Sequence, residues 1–394
     1  MTYCYEPDNY PGRMTLLPDC FCPADGTRVT AESLAWCCPV CRGPLDLDFA
    51  PTPASLKSLK GRVNSLWRYA ETLPLAAPSI SLGEGRTPLV ELREGICAKL
   101  DFLMPTLSFK DRGAVLLIGL AQRLGPRQVV SDSSGNAGTS IAAYCARAGL
   151  PCTVYVPEGT SAEKREHIRA HGARVHLVDG DREAAAQAAR EAADEPEVFY
   201  ASHAYNPYFL HGTKTCVHEL WEDFGGRLPD VLVLPVGNGT LLLGAALAVA
   251  ELFGAGLIDR RPALYAVQAA AVAPLAHAWE EGAEDLTGPI PMAPTFAEGI
   301  AIPRPPRARQ ILRAVRDSGG RFLTVTEDQI RHAQLDLASQ GLYVEPTAAA
   351  GWAAAREGLL ESIPPSRLRS NGGIAPVMVP LCGAGLKTGP ARST

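Results

Sequence analysis

The chain has 394 residues, 46% hydrophobic and 20% charged, with 37 basic against 42 acidic side chains and a formal charge of -5. That length suggests two or three domains with buried cores of ordinary size. A weakly acidic chain with no basic run or aromatic-basic ladder is a poor partner for nucleic acid. The lack of a basic and apolar leader at Met1 to Glu6, and of any apolar run of about eighteen residues, disfavours a membrane.

Eleven cysteines, an odd number in a long chain without a secretion signal, predict a reducing, cytoplasmic setting. Six of them, Cys4, Cys20, Cys22, Cys37, Cys38 and Cys41, crowd the start of the chain. Residues 1–50 form a Cys-rich segment that ends in Cys38-Pro39-Val40-Cys41, half of a zinc-ribbon signature. The other half, Cys22-Pro23-Ala24-Asp25, carries an acid where a second thiolate is expected. Cys20, Cys22, Cys38 and Cys41 are therefore the candidate zinc ligands, with Asp25 as the alternative to Cys20. A metal-free remnant of a ribbon is the other reading.

Residues 105–113 read Pro-Thr-Leu-Ser-Phe-Lys-Asp-Arg-Gly. Ser108 and Asp111 have the spacing of a capping box, which predicts a helix start with Lys110 in its first turn. An ammonium there opposes the positive end of the helix dipole, so its pKa is expected to fall and its amine to become a nucleophile. Forming a Schiff base removes the conflict. The alternative is an ordinary capped helix with a solvated lysine.

Further along, strands predicted at 128–131, 152–156, 174–178 and 198–201 alternate with helices at 139–148, 162–171 and 182–193. Such a βαβ series implies a parallel sheet. A second series places strands at 231–236 and 264–267 around a helix at 241–253, and a last strand at 376–381. The proline-rich stretch 289–306 lacks periodicity and reads as a long functional loop.

Three turns follow predicted strands. Ser133-Ser134-Gly135-Asn136 offers hydroxyls, an amide and backbone N–H groups suited to a carboxylate or phenolic oxygen. Gly237-Asn238-Gly239-Thr240-Leu241 aims backbone amides at one spot and suits a phosphate. It is no Walker loop, and it breaks the dinucleotide fingerprint because Leu242 occupies the third glycine's place. Cys382 stands at the carboxyl end of the last strand, the edge where parallel sheets bind ligands. For each turn the alternative is purely local: a tight polar connection, or a small buried thiol.

Together with the Lys110 segment, and in the same order along the chain, these turns resemble the threonine synthase family within the fold-type-II pyridoxal-phosphate enzymes. The resemblance implies an α/β protein with two doubly wound α/β domains and parallel-rich sheets, preceded by the zinc-ribbon-like segment. Residues 51–123 and 224–394 would form the large domain and 124–223 the small one. The resemblance further implies pyridoxal 5'-phosphate as cofactor, Lys110 as its Schiff-base lysine and Asn136 bonded to its phenolic oxygen. Gly237, Asn238, Gly239, Thr240 and Leu241 would bind its phosphate, with Cys382 at the pyridine nitrogen. Ser133, Ser134 and Gly135 would hold the substrate carboxylate. A neutral thiol at the ring nitrogen favours an unprotonated pyridine and a less stabilised carbanion.

Several positions depart from the family pattern. His203 and Ala204 fall where an Asn-Ser pair binds substrate phosphate, Phe209 where an arginine does, and Ala137 where a threonine does. Leu107 replaces a glycine within the lysine segment. Loss of several anion ligands makes phosphohomoserine a poor expected substrate, since one uncompensated buried charge costs several kcal/mol. The stretch from Ala297 to Pro305 is similar to a loop of serine and threonine dehydratases and would present Glu298 to the substrate. His203 is a substrate ligand, an acid/base group or a packed histidine.

The expectation is a lyase or synthase of amino-acid metabolism that works by β- or γ-elimination or replacement. Its partner would be a small amino acid and its candidate assembly a homodimer. Threonine synthase itself and serine/threonine ammonia-lyase are the alternatives. Other classes are represented by a non-catalytic zinc-ribbon binding protein and a nicotinamide oxidoreductase, the latter disfavoured by the broken glycine fingerprint.

Overall fold

The computed structural model describes residues 16–75, 80–356, 362–364 and 376–387. Cys4 and the opening segment Met1 to Glu6 lie outside the described residues. In chain order the elements are β1 (Cys20–Phe21), β2 (Arg28–Val29), β3 (Asp46–Leu47), β4 (Leu89–Arg93), β5 (Ile96–Lys99), α1 (Lys110–Leu124), β6 (Gln128–Ser131), α2 (Asn136–Ala148), β7 (Cys152–Pro157), α3 (Ala162–Arg169), β8 (Arg174–Val178) and α4 (Arg182–Ala193). Then follow β9 (Val198–Tyr200), α5 (Pro207–Thr213), α6 (Thr215–Asp223), β10 (Val231–Pro235), α7 (Thr240–Gly254), β11 (Ala263–Ala269), α8 (Pro274–Glu280), α9 (Ala308–Asp317), β12 (Arg321–Val325), α10 (Glu327–Ser339), α11 (Pro346–Arg356) and β13 (Val377–Pro380).

The chain divides into two compact units. Unit 1 comprises Met1–Arg86 and Lys110–Thr215, and unit 2 comprises Thr87–Phe109 and Cys216–Thr394. The sequence divisions at 123 and 223 differ from these because α1 packs on α2 and α5, which draws Lys110 and its helix into unit 1.

Unit 1 holds a small antiparallel sheet, β2-β1-β3, and a parallel sheet ordered β8-β7-β6-β9. The predicted βαβ series is all present there. Helix α2 begins at Asn136, three residues before the apolar periodicity starts, because its first turn is built from the small polar residues of the turn itself.

Unit 2 is a six-stranded sheet, β12-β11-β10-β13-β5-β4, parallel except where β4 returns antiparallel beside β5. Its central strand β10, Val-Leu-Val-Leu-Pro, is buried throughout, as expected for a strand covered on both faces. Val231 stands opposite both Ala263 and Val377, so the carboxyl ends of β10 and β13 share one edge. The stretch 289–306 is irregular apart from a single 3-10 turn, Glu298–Ile300.

A buried charge cluster ties α6 to the sheet of unit 2. Lys99, fully buried at the end of β5, donates to the Thr87 carbonyl at 2.7 Å and pairs with Glu219 at 3.0 Å and Asp223 at 2.9 Å. Among the described residues, no helix is long and apolar enough to cross a membrane.

Candidate active site

In unit 1, Lys110 is the first residue of α1 and is half-buried. The predicted capping box does not form. The Ser108 hydroxyl is buried without a hydrogen-bond partner, and the Asp111 carboxylate is turned sideways to accept from Ser140 of α2. The chain enters the helix through Leu107 at φ +62°, a left-handed conformation where glycine is the usual residue. The Leu107 carbonyl accepts from the Ala384 N–H at 3.0 Å, and Phe109 N–H donates to the Cys382 carbonyl at 2.9 Å. These bonds within unit 2 set the backbone of residues 107–109.

Lys110 Nζ stands 5.7 Å from the centroid of the Phe209 ring. Phe209 on α5 is fully buried and fits only because residue 113 is glycine, where a Cβ would lie 2.5 Å from the ring. Gly212 likewise lets α5 reach the Arg112 carbonyl, 2.0 Å from where its own Cβ would be. His203 is buried with its ring edge-on to Phe209 at 5.7 Å. Burial, then the charges of Lys110 and Arg182, hold its pKa well below 6.5, so the imidazole is neutral. Ala204 and Ala137 are buried beside these elements.

The turn after β6 places Ser133 buried and Ser134, Gly135 and Asn136 half-buried at the start of α2. Its tightness depends on Gly138, since a Cβ there would lie 1.8 Å from the Ser133 carbonyl oxygen. The N-cap of α2 is Gly135, with no side-chain cap, in contrast to α3 and α4, which are capped by Ser161 and Asp181. Gly135 has no side chain to offer the first turn of α2, so that turn is served by backbone alone at its N-cap.

Sequence reasoning overlooked Glu84, which is bonded to the body of α2 through Tyr144. Its buried carboxylate accepts from Tyr144 of α2 at 2.8 Å, from the Trp67 indole at 3.0 Å, from Ser81 at 2.9 Å and from the Leu82 N–H at 2.8 Å. The available signal was an acid flanked by two glycines, Gly83 and Gly85, which adopt φ +85° and +94°.

In unit 2, Gly237, Asn238 and Gly239 join β10 to α7, whose first residues are Thr240 and Leu241. Gly239 is the N-cap at φ +72°, again without a side-chain cap. Both glycines are pressed by neighbours. A Cβ at Gly239 would lie 2.3 Å from Ile311, and one at Gly237 would lie 2.9 Å from the Gly299 carbonyl oxygen. The loop carrying Glu298 thus packs directly on the turn, with Glu298 itself exposed and Gly299 N–H donating to Thr347 Oγ1 at 3.1 Å. Cys382 is buried just past the end of β13, where the Glu345 carboxylate lies against Gly383. An uncapped N-terminus on a buried apolar helix, reached through two glycines, suits an anion without basic side chains.

Residues 80–383 match the family described as "Pyridoxal-phosphate dependent enzyme". Threonine synthase of Methanosarcina acetivorans is 33% identical over 348 residues, covering 85% of this chain and 85% of that protein. Threonine synthase of Methanocaldococcus jannaschii is 35% identical over 321 residues, covering 78% and 79%. Among solved structures, maize serine racemase superposes with a TM-score of 0.64 at 20% identity, over 86% of this chain and 94% of that one. The chain belongs to the threonine synthase-like family of fold-type-II pyridoxal-phosphate-dependent enzymes, and its cofactor is pyridoxal 5'-phosphate.

Of the two ligand sets expected at the start of the chain, the structure groups the one that contains Asp25. Cys22, Cys38 and Cys41 come together, but the fourth member of their group is Asp25 and not Cys20, which lies on β1.

Proposed function

We propose that this chain is a lyase or synthase that performs β- or γ-elimination or replacement on an amino acid whose leaving group is not held as a phosphate dianion. The residues fit the cofactor: a half-buried amine at Lys110, an uncapped glycine turn at Gly237 to Leu241, and a buried thiol at Cys382. Bound there, pyridoxal 5'-phosphate supplies an electron sink for a carbanion at the substrate's Cα.

The chain's own groups take the remaining roles. Lys110 would hold the cofactor, and its free amine would be the base for the Cα proton. Backbone N–H groups of Gly237, Asn238, Gly239, Thr240 and Leu241 hold the phosphate, and Asn136 donates to the phenolic oxygen. Ser133, Ser134 and Gly135 receive the substrate carboxylate, and the exposed Glu298 faces the substrate amine or hydroxyl. Cys382 would face the ring nitrogen and, as a buried neutral thiol, would offer it no full charge.

The observation that carries the altered substrate is the wall formed by His203, Ala204, Phe209 and Ala137. All four are buried and uncharged, and the Phe209 ring, at the place of the family's arginine, lies 5.7 Å from Lys110 Nζ. Arg112 supplies no replacement, since it is fully buried and donates to Thr215 at 3.1 Å. Each missing charge-assisted hydrogen bond forgoes about 1.5–3 kcal/mol of binding to a dianion.

The second reading is threonine synthase acting on phosphohomoserine, favoured by the names of the sequence relatives. Two measurements test these readings. Borohydride treatment of the yellow holoenzyme should fix the cofactor to the peptide containing Lys110, and label on another lysine would defeat the assignment. Steady-state kinetics with phosphate, hydroxyl, acetyl and sulfate leaving groups should rank phosphohomoserine low. Efficient threonine formation from phosphohomoserine would establish the second reading instead.

A further inference from the structure

The geometry points to a structural zinc centre in unit 1 held by Cys22, Asp25, Cys38 and Cys41, with a carboxylate in place of one thiolate. One ligand atom from each residue lies within 4.8 Å of all the others. Cys22 Sγ and Cys41 Sγ are 3.5 Å apart, and Cys38 Sγ is 3.4 Å from Asp25 Oδ2. A tetrahedral zinc with bonds of about 2.3 Å to sulfur and about 2.0 Å to oxygen needs edges of roughly 3.5–3.8 Å. The two closest pairs already have nearly that spacing.

The fourth ligand is identified by a repeat in the backbone. Cys22-Pro23-Ala24-Asp25-Gly26-Thr27 and Cys38-Pro39-Val40-Cys41-Arg42-Gly43 fold into the same knuckle. In the first, Gly26 N–H donates to the Cys22 carbonyl at 2.9 Å and Cys22 N–H to the Thr27 carbonyl at 2.8 Å. In the second, Arg42 N–H donates to the Cys38 carbonyl at 3.0 Å and Cys38 N–H to the Gly43 carbonyl at 2.9 Å. The fifth residue of each is left-handed, Gly26 at φ +76° and Arg42 at +60°. Arg42 tolerates a conformation that glycine normally takes, which marks the knuckle as imposed by something beyond local preference.

The correspondence reaches the ligand atoms. Thr27 N–H donates to Asp25 Oδ1 at 2.9 Å, and Gly43 N–H donates to Cys41 Sγ at 3.4 Å, so carboxylate and thiolate occupy equivalent places. Val40 N–H donates to Cys38 Sγ at 3.4 Å. Such N–H groups orient ligands and spread their charge. Cys20 belongs to neither knuckle.

The segment's three strands are two residues each, and its own core is Cys22, Cys38 and Leu45, with Cys20 and Val29 packed against them. Leu47, Trp36 and Cys37 belong instead to the larger cores of unit 1, so the two knuckles hold little apolar burial of their own, and a bound metal adds free energy there as its ligand thiols lose their protons. The ordered segment then presents Trp36, which packs edge-on against Tyr200 at 5.2 Å and Tyr205 at 5.1 Å and donates to Asp194 at 2.9 Å. Tyr200 and Tyr205 bracket His203 in the sequence.

The test uses the full chain with its cofactor, purified under reducing conditions without chelator. Elemental analysis should find about one zinc per chain, the load of a closed four-ligand site. Cys38→Ala should lower metal affinity at least ~10-fold, and Cys20→Ala should leave the load unchanged. Asp25→Cys should keep the metal, and its cobalt form should gain sulfur-to-cobalt absorption as thiolate ligands rise from three to four. That variant decides the matter even where Cys38→Ala fails to fold. A protein that carries no zinc and takes up no cobalt overturns the assignment, as does a Cys22–Cys41 disulfide. Metal loss in Cys20→Ala, or unchanged cobalt absorption in Asp25→Cys, overturns the ligand set.

Discussion

Two residues beside Lys110 show how the site uses positions that local rules disfavour. Leu107 holds φ +62° with its side chain partly exposed, in a conformation that costs an L-residue about 1–2 kcal/mol. Leu107→Gly removes that cost but adds unfolded-state entropy of about 0.5–1 kcal/mol, so the variant should be neutral or stabilised by up to ~1 kcal/mol. Leu107→Val, branched at Cβ, should lose about 1–2 kcal/mol. Urea unfolding of the two variants checks the contrast, and equal destabilisation by both would show that the side chain's packing outweighs the backbone.

His203 provides a second test at this scale. Its folded pKa lies well below 6.5 because of burial first and the Lys110 and Arg182 charges second. The unfolded chain therefore binds more protons than the folded one once the pH falls below about 6.5, and stability drops as the pH descends toward the folded value. The slope in that window is at most about 1.4 kcal/mol per pH unit for one group. His203→Asn should flatten that part of the acid limb in thermal unfolding scans between pH 7 and 5 relative to wild type. An unchanged limb would mean that His203 titrates normally.

At the scale of elements, α6 is held to its sheet by charge and not only by apolar packing. Lys99 satisfies Glu219, which has no exposed surface, and Asp223. Lys99→Met leaves the Glu219 carboxylate buried without its cation and should cost about 3–5 kcal/mol. The double change with Glu219→Leu should recover most of that loss, because an apolar pair avoids the desolvation of both charges. Chemical denaturation of the single and double variants measures the coupling, and a single-variant loss under ~1 kcal/mol would place the ion pair in wetter surroundings than the burial implies.

Elements were legible in the sequence in proportion to how far local pattern decides them. The βαβ series from β6 to β9 and the strand-turn-helix of β10 and α7 carry strong apolar periodicity and glycine turns, and both stand where the pattern places them. The capping box at Ser108 and Asp111 did not form. The same residues are claimed by long-range partners, Ser140 for the acid and the Gly383 strand for the serine's backbone. Local spacing ranks only local bonds, and a buried carboxylate takes whichever donor the packing supplies.

For the whole molecule, the Lys110 segment, the Ser133 turn, the Gly237 turn and Cys382, in that order along the chain, resemble the family closely enough to state family and cofactor. Tertiary structure decided what depends on residues far apart in sequence. It brought Phe209 to Lys110 through Gly113, neutralised His203 by burial, bonded Glu84 to α2 through Tyr144, and chose Asp25 over Cys20 as the partner of three thiols. Sequence fixes which groups the chain possesses and how neighbours along it are spaced. Only packing fixes which distant groups meet and how much water they keep, and those two quantities set the charge and partners of every side chain in the site.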